Sequence, residues 1–264
     1  MENRRICVIT GGSKGIGAAC AKEFCAQGWA VYALSRSGES EKGINGMPCD
    51  VTDEARVEEA LAEIHGREGR IDLVIANAGS GISGAAEFTK SEDAHYQFEV
   101  NFFGVFNCAK SAAPYLRESK GRFLAVSSAA AVFAIPFQSF YSASKAAVST
   151  FVCALANELK PFGVSAGYVL LGDVKTGFTA ARRKSEEGDS GVYGGVISRS
   201  VAKMERDEQN GMPPEKIAKS ICRIAGKRRM PLKTTIGGSY KLLVFLSRIL
   251  PLSWQNAIIR KMYT

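Results

Sequence analysis

The chain has 264 residues, of which 46% are hydrophobic and 23% are charged, which excludes wholesale disorder and allows one large folded domain. The formal net charge of +8 is unevenly placed, because residues 216–264 hold eleven Lys or Arg and no Asp or Glu. Residues 1–215 hold 23 basic and 26 acidic side chains, so the basic character belongs to the C-terminal segment.

Cysteine and histidine usage bears on the compartment and on metal binding. The seven cysteines form no C-x-x-C pair and have mostly apolar neighbours, which is typical of buried free thiols in a reducing compartment. Only His65 and His95 are present, without metal-ligand spacing, so we expect no metal site. No secretion signal is apparent, nor a run of about 18 uncharged apolar residues. These patterns predict a cytoplasmic location.

Strand and helix patterns alternate from the first residues onward. The predicted strands, in chain order, read RICVITG, WAVYALSR, GINGMPCDV, IDLVIANAG, GRFLAVSSAA and GVSAGYVLL. The predicted helices between them read GIGAACAKEFCAQG, DEARVEEALAEIHGREG, the long stretch 91–119, and a segment that begins FYSASKAAVSTF. Parallel strands need crossover connections, so this order predicts an α/β fold with a doubly wound parallel sheet of the Rossmann type.

We expect residues 1–264 to form a single domain. Residues 177–215 interrupt the alternation with a glycine-rich, highly charged segment, which is typical of a substrate lid. Residues 240–264 form an apolar extension with interspersed cations. This extension could pack over a pocket, lie on an anionic membrane surface or contribute to a subunit contact.

The turn after the first predicted strand reads TGGSKGIG and opens a helix. Gly11, Gly15 and Gly17 would allow a tight turn and the close approach of a pyrophosphate to the helix N-terminus. The second predicted strand ends at Arg36, where a fold selective for NAD usually has an acid that holds the ribose 2′-hydroxyl. Arg36 and Lys14 suit a 2′-phosphate instead, so the pattern favours NADP(H).

Two later strand ends add candidates for the same ligand. Asp50 follows the third predicted strand and could accept a hydrogen bond from the adenine amino group. Asn77, Ala78 and Gly79 follow the fourth, where a turn of small residues would leave room for a cofactor.

In this order the motifs resemble those of the short-chain dehydrogenase/reductase family, over roughly Arg5 to Thr176. The matching segments are TGGSKGIG (10–17), DV (50–51), NAG (77–79), VNFFG with Asn101, VSSA with Ser128, and YSASK with Tyr141 and Lys145. The C-terminal extension and the ELKPFGV run are similar to the hydroxysteroid and retinol dehydrogenase branch.

The resemblance implies a division of catalytic roles. Tyr141 would be the general acid in ketone reduction and the general base in alcohol oxidation. Lys145 follows one helical turn later, so its ammonium could lower the tyrosine pKa from ~10 and also bond the nicotinamide ribose. Ser128 would donate to the substrate oxygen. Asn101 would hold a water that relays protons to Lys145.

The family usually has a proline at the position of Leu171, after the sixth strand, whereas Gly172, Val174 and Thr176 fit its pattern. We therefore expect the backbone of Val174 and the side chain of Thr176 to meet the carboxamide end of the cofactor. The cofactor-binding residues expected in total are Gly11, Ser13, Lys14, Gly15, Ile16, Gly17, Arg36, Asp50, Val51, Asn77, Ala78, Gly79, Tyr141, Lys145, Gly172, Val174 and Thr176.

Several apolar residues near the site either line an apolar cleft or pack in the core, and core packing is the default for any one of them. The candidates for the lining of such a cleft are Val132, Phe133, Ile135, Pro136, Phe137, Leu170, Leu171 and Phe178. The sequence thus predicts an NADP(H)-dependent oxidoreductase that interconverts a lipophilic ketone and a secondary alcohol, steroid-like or lipid-like, and works as a homo-oligomer (a dimer or a tetramer).

The alternatives are a 3-oxoacyl thioester reductase and a non-catalytic protein that senses the dinucleotide. The intact Ser128, Tyr141 and Lys145 argue against the latter. No nucleic acid partner is expected, because the basic segment carries no aromatic platform or base-reading motif.

Overall fold

The computed structural model describes residues 4–39, 41–184 and 191–264. At its centre lies a seven-stranded parallel sheet with the order β3-β2-β1-β4-β6-β7-β9. Its strands are β1 (Ile6–Thr10), β2 (Ala30–Ser35), β3 (Ile44–Pro48), β4 (Leu73–Ala76), β6 (Arg122–Ser128), β7 (Ser165–Leu171) and β9 (Lys233–Ile236). The order reverses between β1 and β4, which confirms the predicted doubly wound sheet.

Helices cover both faces of the sheet. The α-helices of the described residues are α1 (Gly15–Ala26), α2 (Glu54–Glu68), α3 (Ser91–Phe98), α4 (Gly104–Ser119), α5 (Ser139–Leu159), α6 (Phe178–Ala181), α7 (Val196–Gln209), α8 (Pro214–Ala225), α9 (Gly238–Leu246) and α10 (Leu252–Tyr263). Successive strand side chains point to opposite faces, so Val8 packs with α2, α4 and α5, whereas Ile9 packs with α1 and α8. The two clusters form the core and hold the strand ends in place.

The stretch predicted as one long helix over 91–119 is divided. Between α3 and α4, residues Glu99–Phe103 form a π-helical turn. Such turns widen a helix locally and are frequent at functional sites. Asn101 lies in this turn and is fully buried.

The structure adds elements that the periodicity does not predict. Strand β9 extends the sheet beyond β7, and a small parallel pair joins β5 (Ile82–Ser83) to β8 (Arg183–Lys184). Of the predicted lid 177–215, the described part contains α6, β8 and α7, and residues 185–190 lie outside the described residues. Helix α10 packs against α7. Within the described ranges, no helix has the length and apolarity needed to cross a membrane.

Candidate active site

The glycine-rich turn between β1 and α1 depends on the missing side chains of its glycines. Gly11 and Gly15 have φ values of 64° and 55°, in the left-handed region that favours glycine. A Cβ on Gly17 would lie 2.2 Å from the carbonyl oxygen of Gly11, so only glycine allows the first turn of α1 to approach the loop this closely. The turn therefore presents backbone, not side chains, to the cavity beside it.

Asn77 helps to link the end of β4 to the end of β1 through hydrogen bonds. Its Nδ2 donates to the carbonyl oxygen of Thr10 at 3.0 Å, and the backbone N–H groups of Asn77 and Ala78 donate to Thr10 Oγ1 at 3.0 and 3.1 Å. This role is not apparent from the sequence, which indicates only a turn of small residues. The hydrogen bonds keep the two strand ends together where the sheet order reverses.

The cationic residues of the predicted phosphate site lie on one wall. Lys14 immediately precedes α1 and Arg36 immediately follows β2, and both are exposed and line the same cavity. No acidic residue stands at the end of β2, which closes with Ser35. The end of β2 therefore offers Arg36, with Lys14 on the same cavity, and no carboxylate of its own to an anionic group.

Asp50 and Val51 continue this wall after β3. The Oδ1 atom of Asp50 accepts from the backbone N–H and the hydroxyl of Thr52, at 3.0 and 2.9 Å. The carbonyl oxygen of Val51 accepts from Asn107 on α4 at 2.9 Å. These bonds fix the loop at the rim of the cavity that both residues line.

Helix α5 carries Tyr141 and Lys145 to the cavity on adjacent turns. The Nζ atom of Lys145 lies 5.9 Å from the Tyr141 ring centroid and donates to the carbonyl oxygen of Val126 at 3.1 Å. Ser127 holds the helix against β6, since its hydroxyl donates to the Lys145 carbonyl oxygen at 3.0 Å. Burial lowers the pKa of Lys145 to about 8.

The prediction that Lys145 lowers the pKa of Tyr141 is wrong. Burial of the phenol raises that pKa, and the carboxylates of Glu208 and Asp173 add to the rise. The opposing effects come from the Ser128 hydrogen bond and from the Arg182 guanidinium. The Lys145 ammonium is itself desolvated and turned toward β6, so the phenol stays protonated near neutral pH.

Asn101 links the π-helical turn to both neighbouring segments. Its Oδ1 accepts from the backbone N–H of Ser80 at 2.8 Å, and its Nδ2 donates to the Ser80 carbonyl oxygen and to Ser144 Oγ, each at 3.1 Å. The hydroxyl of Ser144 in turn donates to the carbonyl oxygen of Tyr141 at 2.8 Å. Asn101 thereby positions the backbone of α5 at Tyr141.

Gly79 leaves space between Asn101 and Lys145. A Cβ at this position would lie 3.2 Å from Asn101 Oδ1 and 3.4 Å from Lys145 Nζ. Any larger residue would therefore crowd both polar groups. Ser128, at the end of β6, faces Tyr141, and its Oγ accepts from the backbone N–H of Ala130 at 3.1 Å.

The loop after β7 closes the cavity from the other side. Leu171, which replaces the family's proline, belongs to β7 and is in register with Ser128 of β6 and Ile236 of β9. A Cβ on Gly172 would overlap the ring of Tyr240, so glycine is required for α9 to pack here. The Tyr240 hydroxyl donates to the Asp173 carboxylate.

Val174 and Thr176 follow in the same loop. Val174 forms a parallel bridge with Met212, through hydrogen bonds of Asp173 and Lys175 at 3.0 Å each. The bridge does not use the N–H of Val174 itself. Thr176 packs over the glycine-rich turn, because a Cβ at Gly15 would lie 3.5 Å from its side chain.

One continuous cavity of about 1310 Å³ joins these parts. It is lined by all the predicted site residues except Gly17 and Asn101, which are buried beside it. On the side away from the glycine-rich turn, the substrate half, many of its lining side chains are apolar, and these include Phe133, Ile135, Leu171, Phe178, Leu243, Leu246, Leu250, Ile258, Ile259 and Met262. Of the other predicted lining residues, Leu170 is buried in the sheet core, and Phe137 packs against Tyr193.

Charged residues of α7 also reach the cavity, although nothing in the sequence pattern predicts this. Glu208 pairs with the buried Arg182 and accepts from Thr179 at 2.5 Å, and Asp207 pairs with Lys203 at 2.8 Å. The helical spacing of these residues resembles an ordinary solvated face, so only the packing of α7 over the cleft identifies them.

Comparisons with known proteins agree with this geometry. The family model for short chain dehydrogenase matches residues 5–187. The 3-ketodihydrosphingosine reductase of Bacteroides thetaiotaomicron is 38% identical over 247 residues, which cover 92% of this chain and 92% of that protein. A short-chain dehydrogenase structure from Streptomyces avermitilis has a TM-score of 0.83 at 26% identity and covers 94% of both chains.

A structure of ElxO with NADP bound has a TM-score of 0.75 at 26% identity, covering 90% of this chain and 99% of that one. The chain therefore belongs to the short-chain dehydrogenase/reductase family and is an oxidoreductase that uses a nicotinamide dinucleotide.

Proposed function

We propose that this protein is an NADPH-dependent reductase of a long-chain lipophilic ketone. The observation that carries the proposal is the continuity of the cavity. The cavity extends from the glycine-rich turn, past the hydroxyls of Ser128 and Tyr141, to the substrate half, where α9 and α10 contribute apolar side chains. A dinucleotide on one side and an aliphatic chain on the other would thus meet at the tyrosine.

The choice of NADPH rests on charge. Lys14 and Arg36 face the cavity at the end of β2, where a carboxylate would be needed to hold a ribose 2′-hydroxyl. A guanidinium can bind a 2′-phosphate through two parallel hydrogen bonds. Gly172, Val174 and Thr176 would hold the nicotinamide end, and the bound nicotinamide supplies the hydride.

The protein's own groups supply the proton and the electrostatic stabilisation. The raised pKa keeps Tyr141 protonated, which is the form that can donate to a developing alkoxide. Ser128 would donate to the same oxygen as its charge grows. Lys145 would bond the nicotinamide ribose, and Asn101 would hold a water that returns protons by way of Lys145. These roles suit reduction of a ketone to a secondary alcohol.

Two features support the substrate class. The relative from Bacteroides thetaiotaomicron is a 3-ketodihydrosphingosine reductase, and such a substrate has a ketone near one end of a long alkyl chain. The substrate half of the cavity could take such a chain, and the polar groups around Asp173 and Glu208 lie near Tyr141, where a polar head group would sit.

A 3-oxoacyl thioester reductase is the second candidate, because the cations of α9 and α10 would suit an anionic acyl carrier. Initial rates with 3-ketodihydrosphingosine, a 3-ketosteroid and a 3-oxoacyl thioester, each with NADPH and with NADH, separate these functions. We expect the highest kcat/KM with NADPH and 3-ketodihydrosphingosine. Preference for the thioester would favour the second candidate, and absence of turnover with all three ketones would contradict the proposal.

The cofactor preference has a separate test in Arg36→Asp. We expect this variant to raise the KM for NADPH by about a hundredfold and to change the KM for NADH far less, since it removes the phosphate-binding guanidinium. Arg228→Asp is the matched control, because Arg228 is an exposed arginine in the turn between α8 and β9. An unchanged ratio of the two KM values in Arg36→Asp would refute the assignment to NADPH.

A further inference from the structure

The outward sides of α9 and α10 expose most of the large apolar side chains found on the described surface. Eight of the twelve exposed large hydrophobic residues in the described ranges lie between 242 and 262. They are Leu242, Leu243, Phe245, Ile249, Leu252, Trp254, Ile258 and Met262. A concentration of this kind marks an interaction surface, because isolated exposed apolar residues would be spread over the whole chain.

The spacing on α9 shows that the exposure is a property of one face. Leu242 and Phe245 stand at i and i+3 on α9, Ile249 follows in the turn after the helix, and all three are exposed to solvent. On the opposite side, Val244 is buried in the core and Tyr240 packs on Gly172. The helix is thus anchored to the protein and still presents an apolar stripe outward.

The charged side chains within residues 238–264 all have one sign. Residues 238–264 contain Lys241, Arg248, Arg260 and Lys261 and no Asp or Glu. All four are exposed, and none belongs to an ion pair found among the described residues. An apolar face bordered by unpaired cations complements a layer that is anionic at its surface and apolar beneath.

The exposed surface is continuous with the mouth of the cavity. Leu243, Ile258 and Met262 line the cavity and are nevertheless 36%, 46% and 41% exposed. These residues therefore form its rim. The apolar lining of the cavity and the exposed apolar surface thus share residues of α9 and α10.

We propose that α9 and α10 dock this protein on an anionic membrane surface, with the cavity mouth at the lipid boundary. A second copy of the chain fits the surface less well, because an isologous contact would bring the same cations against each other without acidic partners. The proposal goes beyond the reductase function and does not depend on it, although a lipid surface would deliver a lipophilic ketone directly to the mouth.

Trp254 provides a direct probe of docking. The protein has two tryptophans, of which Trp29 is 5% exposed and packs edge-on against Phe24, whereas Trp254 is 63% exposed on α10. We expect the Trp254 emission to shift to the blue when vesicles of phosphatidylglycerol and phosphatidylcholine are added, and brominated lipids to quench it. Pure phosphatidylcholine vesicles should bind at least about tenfold more weakly.

Two double variants test the surface without touching the catalytic residues. Phe245→Ser/Ile249→Ser removes apolar contacts and Arg260→Glu/Lys261→Glu reverses charge, and each should reduce vesicle binding at least about tenfold. The matched control is Lys160→Glu/Phe162→Ser, which makes the same two kinds of change in the exposed turn after α5 and should bind like wild type.

Sedimentation velocity without lipid completes the experiment. The proposal would be overturned if anionic vesicles left the Trp254 emission unchanged. It would also be overturned if the control variant lost vesicle binding as strongly as the two test variants. A dimer that the Phe245→Ser/Ile249→Ser variant dissociates in the absence of vesicles would overturn it as well, since the surface would then be a subunit contact. Vesicle binding is measured without turnover, so its failure would leave the reductase proposal standing.

Discussion

The two halves of the cavity are built in different ways. The cofactor half consists largely of backbone at the ends of β1 and β4, where Gly11 adopts φ 64° and Asn77 bonds to Thr10. The substrate half is lined by side chains of α7, α9 and α10 together with side chains from α6, the end of β7 and the loop after β6. The first half is specified by short local motifs, whereas the second depends on how distant helices pack.

The two halves of the cavity also differ in whether their charged side chains are paired within the protein. The cofactor half leaves Lys14 and Arg36 available for an anionic ligand. In the substrate half, Glu208 pairs with Arg182, Asp207 pairs with Lys203 and the Asp173 carboxylate accepts from Tyr240, so each of these carboxylates has a protein partner. This contrast fits one half that binds a polyanion and another that holds an aliphatic chain.

The largest structural effect is expected from Gly17→Ala in the cofactor half. The new methyl group would lie 2.2 Å from the Gly11 carbonyl oxygen, so the turn must move. We expect about 3 kcal/mol less free energy of unfolding, measured by urea denaturation, together with a loss of NADPH affinity. Gly66→Ala on α2 is the control, because nothing lies within 4 Å of its added Cβ. A Gly17→Ala protein as stable as wild type would contradict the close approach.

Lys145→Met tests the electrostatics at the junction of the halves. The pKa of Lys145 is about 8 in the folded protein against 10.5 for an ordinary lysine, so burying its charge destabilises the fold below pH 8. This cost disappears as the pH rises from 8 to 10.5. We therefore expect the variant to be more stable than wild type at pH 7 by about 2 kcal/mol and inactive.

The difference in the free energy of unfolding between Lys145→Met and wild type should fall toward zero as the pH rises from 7 to 10. Lys219→Met, at an exposed position on α8, is the control and should show no such trend. A variant that is less stable than wild type at pH 7 would show that the lysine is not buried as a charge.

A smaller effect is expected from Tyr240→Phe in the substrate half. The change removes the hydroxyl that joins α9 to Asp173. Helix α9 is then held less tightly against the cavity, and the Asp173 carboxylate loses a hydrogen-bond donor. We expect a loss of about 1 kcal/mol in stability and a KM for the ketone that rises more than the KM for NADPH. Tyr115→Phe on α4 serves as the control. Equal increases in the KM for the ketone and the KM for NADPH would contradict the assignment of Tyr240 to the substrate half.

The difference between the halves explains which parts of the fold and of the candidate site can be predicted from the sequence. All six predicted strands are present in the sheet, and the motifs at their ends converge on one cavity, because parallel strands bring their carboxyl ends to the same edge. Those motifs are local, so their spacing alone indicates the pyrophosphate turn and the Tyr141–Lys145 pair.

What the sequence does not predict depends on tertiary packing. Strand β9 is a four-residue edge strand with one buried residue, so its own pattern carries little signal. The π-helical turn at Asn101 lies within a stretch whose composition suits a regular helix. The raised pKa of Tyr141 follows from burial and from Glu208 and Asp173, which are remote in sequence.

The central claim is that Tyr141 donates the proton at the junction of the two halves, and Tyr141→Phe tests it most directly. With the best ketone of the panel, we expect kcat to fall by about a thousandfold while the Kd for NADPH, measured by fluorescence titration, stays within about twofold. Tyr96→Phe, which alters another tyrosine that lines the cavity, should keep nearly full turnover. A Tyr141→Phe enzyme that retains more than a tenth of the wild-type kcat would contradict the account.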